Sequence, residues 1–232
     1  MTFKTKPMSA YITSRNVRAS IGHEFGAFRK RLFIDNLGWR LSAENDVELD
    51  EFDTDRAEYG LIYAGGSIVA GFRAIQTTYP YLAATHFPDL AKLRKFPVRQ
   101  DYYEISRFGI LAATQQLNLG LLNYALMFEF ARRRNAAALI AIADLAHERL
   151  LRAIGIRTRR YGPPGIVGKD NAGEDIIAVA GEIPLSEQST HLSSRLISLL
   201  ENQVELKDET HIFGRHGLLK GSVDVSHHDR SA

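Results

Sequence analysis

YYEISRFGI, residues 102–110, has the composition of a half-buried strand with charges placed inside it. Tyr102, Tyr103, Ile105, Phe108 and Ile110 suit a pleated surface packed on one side. Glu104 and Arg107 do not, since a buried charge costs several kcal/mol unless it is paired. Alternation puts Glu104 and Ser106 on one face and Arg107 on the other. For Glu104 and Arg107 to face a common cleft, the strand needs a bulge. A carboxylate, a hydroxyl and a guanidinium in one strand mean either a structural ion-pair network or one wall of a binding cleft.

Outward from this strand, the order is helix, hairpin, strand, helix, strand, helix, strand. Ile21, Phe25, Phe28 and Leu32 recur at helical spacing, which predicts a helix over 18–37 closed by Gly38-Trp39. Residues 42–56 are acidic and loop-like. Two apolar runs joined by Gly65-Gly66 predict a hairpin. Pro80, Pro88 and Pro97 punctuate an irregular stretch over 78–101. A helix is expected over 115–134, ending in Arg132, Arg133 and Arg134, which suit a helix C-terminus. A buried strand follows over 137–143, then a helix over 144–155 with Asp144 as N-cap and Gly155 as stop. A strand over 174–183 and a helix over 186–203 complete the pattern. This predicts an α/β fold, a mixed sheet with helices on both faces. The expected organisation is one domain over 1–205 and a flexible tail over 206–232.

The chain has 232 residues, enough to bury a sizeable core. With 45% hydrophobic and 24% charged residues, it falls in the soluble globular class. No run is long and apolar enough for a transmembrane helix, and the start has no signal-peptide pattern. Cysteine is absent, which removes disulfides and thiolate chemistry and fits a cytoplasmic location. A net charge of +2 and no recognition motif argue against nucleic acid. There is no Walker loop, GxGxxG, HExxH or GxSxG, and ELDEFDTD lacks the central Gly of a calcium loop. His147 reads as a surface or packing residue. No metal is expected.

Arg29, Phe33, Trp39, Asp50, Asp53, Arg73, Phe87, Glu104 and Arg107 stand in an order and spacing that resembles the acyl-homoserine-lactone synthases, the LuxI-type autoinducer synthases. The blocks ELDEFDTD and YYEISRF are close to that family's pattern, and the likeness spans roughly residues 20–185. It implies a GNAT-like acyltransferase sheet with a V-shaped cleft between two splayed strands, here 102–110 and 137–143. It also implies a quorum-sensing signal made from S-adenosylmethionine and an acyl thioester on acyl carrier protein or coenzyme A, with no cofactor. The resemblance makes Glu104 the candidate base, with Asp50 or Asp53 as sharers of that role and Arg107 beside them. Arg29, Phe33, Trp39, Asp50, Asp53, Phe87 and Arg107 become candidates for holding S-adenosylmethionine. Arg29 and Arg107 fit either the substrate carboxylate or the acidic residues, while Arg73 fits a structural pairing with Asp50 or Asp53. Ser106, Ala141 and Leu122 are expected at the acyl chain, with Leu121, Ala125 and Met127 near the pocket floor. Ala141 occupies a place where relatives using 3-oxo chains carry Thr, which suggests an unsubstituted chain. Arg149, Arg152, Arg159 and Arg160 form a candidate dock for an acidic carrier protein. The missing Q/RxxGxG/A turn at LAATQQLNLG counts against the alternative, a GNAT-type N-acyltransferase acting on another amine.

Overall fold

A computed structural model describes residues 8–111, 118–170 and 172–210. The strands are β1 (Met8–Ser14), β2 (Ala57–Ala64), β3 (Ser67–Gln76), β4 (Tyr102–Ile110), β5 (Ala138–Asp144), β6 (Arg159–Arg160), β7 (Gly165–Lys169), β8 (Asp175–Pro184) and β9 (Val204–Asp208). The helices are α1 (Ile21–Arg29), α2 (Leu82–His86), α3 (Leu119–Arg133), α4 (Leu145–Ala153) and α5 (Thr190–Gln203). All nine strands join one mixed sheet in the order β6-β8-β5-β4-β3-β2-β1-β9, with β7 also pairing β8. Only β4–β5 and β1–β9 are parallel.

The period-2 pattern of the central strands sends side chains to two different cores. Phe72, Ala74, Tyr103 and Ile105 pack under α3 and α5 with Leu122, Leu126, Phe130 and Leu196. Tyr59, Leu61 and Ile75 face the opposite side and pack under α1 with Phe25, Phe28 and Leu32. Gly65 and Gly66 make the β2–β3 turn at φ +59° and +82°, where other residues are strained. Asn118 caps α3 by accepting from Leu121 N at 3.4 Å, and Asp144 caps α4 by accepting from His147 N at 2.6 Å.

Three expectations are revised. The helix predicted over 18–37 becomes π-helical over Lys30–Asn36. Leu32 and Phe33 are both buried within this wider turn. Strands β1, β6, β7 and β9 were not anticipated, and β9 carries the sheet to Asp208, past the boundary expected at 205. Residues 211–232 of the expected tail, and 115–117 of the expected helix, lie outside the described residues.

Candidate active site

The parallel pair β4–β5 is short. Tyr102, Tyr103 and Glu104 pair with Ala138, Leu139 and Ile140, and beyond Glu104 the two strands share no further register. β5 instead continues along β8 as far as Asp144, while β4 stays with β3. The fork holds a cavity of about 360 Å³. On the α1 face it is lined by Phe33, Leu37, Trp39, Ser106 and Arg107, and on the α3 face by Phe108, Tyr124, Met127, His147 and Leu151. Ile140, Ala141, Ile142 and Ala143 form the β5 wall.

β4 carries the bulge that the sequence requires. Ser106 faces Arg73 and Gly109 faces Gly71, so Arg107 and Phe108 share the place opposite Phe72. Arg107 takes φ +53°, a conformation that costs a non-glycine residue roughly 1–3 kcal/mol. The extra residue turns Arg107 onto the face of Ser106, and Phe108 resumes the opposite face. Asn123, fully buried on α3, donates to the carbonyls of Gly71 at 3.2 Å and Gly109 at 3.3 Å, clamping the far side of the bulge.

Arg107 enters a network of three arginines and three carboxylates. It donates to Glu48 at 2.9 and 3.2 Å and lies 2.8 Å from Asp50. Arg29 has no exposed surface; it holds Asp53 at 2.7 and 2.8 Å, reaches Asp50 at 3.5 Å and donates to Glu48 through Nε. Arg73 donates to both oxygens of Asp50, approaches Asp53 at 3.2 Å, and donates to Ser106 Oγ at 3.1 Å. Tyr59 donates to Asp53 at 3.1 Å. Burial pushes the Asp53 carboxyl up, but Arg73 and Arg29 outweigh it and bring it down to about 2. Glu48 is likewise lowered, burial being overcome by Arg29 and Arg107.

Glu104 stands at the apex of the fork, the last β4 residue paired to β5. It is 1% exposed, and its oxygens accept from Leu82 N at 2.9 Å and Ala83 N at 2.7 Å. Burial pushes it up to about 7, although both backbone bonds favour the ionised form.

The sequence candidates therefore separate. Phe33, Trp39, Ser106, Arg107 and Ala141 line the cavity, with Phe33 and Trp39 stacked at 4.8 Å. Asp50, Asp53, Arg73 and Arg29 form the layer behind it. Arg29 spends its donors on the acidic residues, the second of the two partner sets left open by the sequence. Phe87 is placed elsewhere, half-buried against the cluster of Leu90, Ile140, Tyr161 and Ala180. Leu122 is also absent from the cavity wall: it is fully buried in the α3 core, where Leu121 and Ala125 are buried too, and of the floor candidates on α3 Met127 reaches the wall. Two groups went unrecognised. Glu48 opens the ELDEFDTD run but gives no local sign that it joins Arg29 to Arg107. His147, expected at the surface or in packing, packs against Tyr124 and Phe108 and is part of the cavity wall.

Among the described residues, no group of His, Asp or Glu could hold a metal ion, and no helix is long and apolar enough to cross a membrane.

A family model described as autoinducer synthase matches residues 13–192. The acyl-homoserine-lactone synthase of Acinetobacter nosocomialis is 32% identical over 161 residues, spanning 64% of this chain and 87% of that protein. That of Aliivibrio fischeri is 27% identical over 170 residues, spanning 70% and 85%. TofI, crystallised in a ternary complex with an inhibitor and MTA, is 30% identical with a TM-score of 0.67, covering 82% of this chain and 97% of its own. BjaI, a CoA-dependent acyl-homoserine lactone synthase solved with SAM and isopentyl-CoA, shares the fold at a TM-score of 0.75 and 21% identity, covering 86% and 93%. A putative N-acetyltransferase from Lactobacillus plantarum shares the sheet more distantly, at a TM-score of 0.50 and 19% identity over 78% and 99% of the two chains. With its forked GNAT-like sheet and this match over most of its length, the chain belongs to the autoinducer synthase family, the acyltransferases that make acyl-homoserine lactones.

Proposed function

We propose that the fork joins an acyl group, carried as a thioester on acyl carrier protein or coenzyme A, to the α-amine of S-adenosylmethionine. The observation that carries this reading is a cavity with an aromatic and charged wall on one face of the sheet and a largely apolar wall on the other. The amine attacks the thioester carbonyl and the C–S bond breaks, releasing the thiol. The methionyl carboxylate then attacks its γ-carbon, the bond to the sulfonium breaks, and neutral methylthioadenosine leaves as the lactone closes.

Phe33 and Trp39 offer stacked rings to the adenine and the sulfonium, where a cation over an aromatic face gains about 0.5–2 kcal/mol. Glu104, poised near neutrality, takes the amine proton through water, because its direct contacts are backbone amides. Arg107 presents its guanidinium at the wall, held by Glu48 and Asp50. Beyond Glu104 the β4 edge makes no ladder bonds to β5, and we assign its N–H groups to the developing oxyanion. Asp50, Asp53, Arg29 and Arg73 act as positioning residues. Ser106 lies beside the acyl carbonyl, and Ala141 offers a 3-oxo group no hydroxyl, so the donor carries no 3-oxo substituent. Arg149 and Arg152 are exposed on α4, whereas Arg159 and Arg160 engage Glu187 and Glu148. The first pair is therefore the freer part of a dock for an acidic carrier protein. No metal or other cofactor has a role in these steps.

Purified protein incubated with S-adenosylmethionine and matched acyl-carrier-protein and acyl-coenzyme-A donors tests this by mass spectrometry. Lactone and methylthioadenosine should appear in equal amounts. An acylated amine without methylthioadenosine would instead establish the N-acyltransferase alternative.

A further inference from the structure

The α3 face of the cavity is apolar except at one place. Tyr124 Oη lies 2.6 Å from His147 Nε2, and both residues line the wall beside Phe108. Tyr124 comes from the middle of α3 and is 4% exposed. His147 sits in the first turn of α4, where the Asp144 cap fixes its backbone. The other polar side chains at the wall have fixed employment: Ser106 accepts from Arg73, Arg107 donates to Glu48, and Asp144 caps α4.

We propose that the Tyr124–His147 pair is a recognition site for a hydroxyl group carried by the acyl chain, and that it sets the preference of the enzyme for hydroxyacyl donors. This rests on the cleft being the acyl-transfer site. A plain hydrocarbon chain is served best by a plain hydrocarbon wall. Laid across this pair, it would cover the donor or acceptor position that the mutual bond leaves open and give nothing back, a cost of about 1–3 kcal/mol for a polar group left unsatisfied. Mutual bonding does not exhaust the pair. The imidazole has no other side-chain hydrogen bond among the described residues, and the phenol oxygen bonds only to it. Burial lowers the His147 pKa, which keeps the ring neutral near pH 7 and gives it a single N–H.

Both tautomers leave a usable position. With the proton on Nδ1, Nε2 accepts from the tyrosine and the phenol oxygen can accept from a ligand. With the proton on Nε2, the phenol accepts from the ring and its own O–H can donate. A hydroxyl, both donor and acceptor, fits either state; a ketone oxygen fits only the second; a methylene fits neither. The pair adds to the effect of Ala141 on the β5 wall, which withholds a hydroxyl from a 3-oxo group.

The test compares unsubstituted, 3-hydroxy and 3-oxo donors of one chain length with the full-length protein and S-adenosylmethionine. For the wild type, kcat/KM for the hydroxyacyl donor should exceed the unsubstituted one roughly 10-fold, the worth of one well-made hydrogen bond. Tyr124→Phe, which removes one oxygen, should bring that ratio close to one. Should this variant not fold, His147→Leu should lose the preference and His147→Gln, which keeps a polar group there, should retain part of it. A flat ratio in the wild type, or a variant that slows both donors alike, makes the pair a structural wall contact and overturns the proposal. Lactone without hydroxyl preference thus refutes the pair alone, whereas no lactone from any donor refutes the acyl-transfer reading and the pair with it.

Discussion

Glu48→Gln is the most informative single change, because Glu48 connects a fully buried arginine to the one that reaches the cavity. Its side chain is 2% exposed and accepts from Arg29 and from both Nε and Nη2 of Arg107. The substitution keeps the volume and one acceptor oxygen but leaves three arginines facing two carboxylates. Breaking a buried ion pair from one side costs about 3–5 kcal/mol, since the remaining charge stays buried without compensation. The retained amide oxygen places the expected loss at the lower end, about 3 kcal/mol. For a chain of 232 residues that corresponds to a fall in Tm of about 6–12 °C. Glu51→Gln provides the control: its side chain is 61% exposed, its partner is His86, and its loss should stay within about 0.5 kcal/mol. Urea denaturation at pH 7 measures both. Removing Arg107 as well should restore part of the loss, a coupling of about 1–3 kcal/mol. If Glu48→Gln unfolds at the same urea concentration as Glu51→Gln, the network is not electrostatically closed, and Glu48 does not hold Arg29 and Arg107 as buried charges that need it.

Two further outcomes are expected. Glu104 has a folded pKa of about 7 against an ordinary value of 4.5, so the folded state holds its proton through that window and the unfolded state does not. Stability should therefore fall as pH rises from about 4.5 to 7, by up to about 3 kcal/mol from this group; His147, whose pKa is lowered, contributes the opposite slope. The difference between the denaturation curves of wild type and Glu104→Gln isolates Glu104, and parallel pH profiles would show that it is not buried as a carboxylic acid. Trp39→Ala removes a half-exposed ring stacked on Phe33, so stability should change by less than about 1 kcal/mol. The KM for S-adenosylmethionine should meanwhile rise roughly 3- to 30-fold, the equivalent of one cation–π contact, and an unchanged KM would place the sulfonium elsewhere.

What could be read from the sequence was local, and what could not was made by distance. Glu104 and Arg107 in an apolar strand announced both a site and a bulge, because burying charge demands a reason. Gly65-Gly66 and Asp144 declared their turn and cap through backbone chemistry. Glu48 and Arg29, 19 residues apart, meet only because the 44–53 loop folds under α1, and no periodicity encodes that. The Tyr124–His147 bond joins two helices across a crossover strand. Leu122 failed for a periodic reason: Tyr124 and Met127, three apart, share the helix face toward the cavity, and Leu122 turns into the core with Leu126. Phe87 follows α2 and turns towards Tyr161, although its spacing matched the family signature. Strands β1 and β9 escaped because a parallel edge pair between the two ends of the described chain leaves no local turn signal.

The site lies where the topology obliges the sheet to open. β4 and β5 are a parallel pair in a mostly antiparallel sheet, so the chain between them must cross over, and α3 does so on one face only. β5 is drawn to β8 over its whole length while β4 is held to β3 across a bulge, and the gap between them belongs to neither. One face of that gap is built by the π-helical segment Lys30–Asn36, the turn to Trp39 and β4, which supply aromatic rings and the Arg107 guanidinium, with α1 and the acidic loop behind them; the other is built by α3 and α4, which supply the hydrocarbon wall and the Tyr124–His147 pair. In the proposed reaction, the amine substrate and the acyl donor meet separate elements that come together at β4. On that proposal, a change on α3 or α4 should alter donor preference without disturbing the ion-pair network, whereas a change in the network, which holds both Arg107 and Ser106, should be felt by both substrates. This division also locates the stability cost: the buried charges and the strained Arg107 lie on the α1 face, and the apolar packing of α3 and α5 against the other face offsets them.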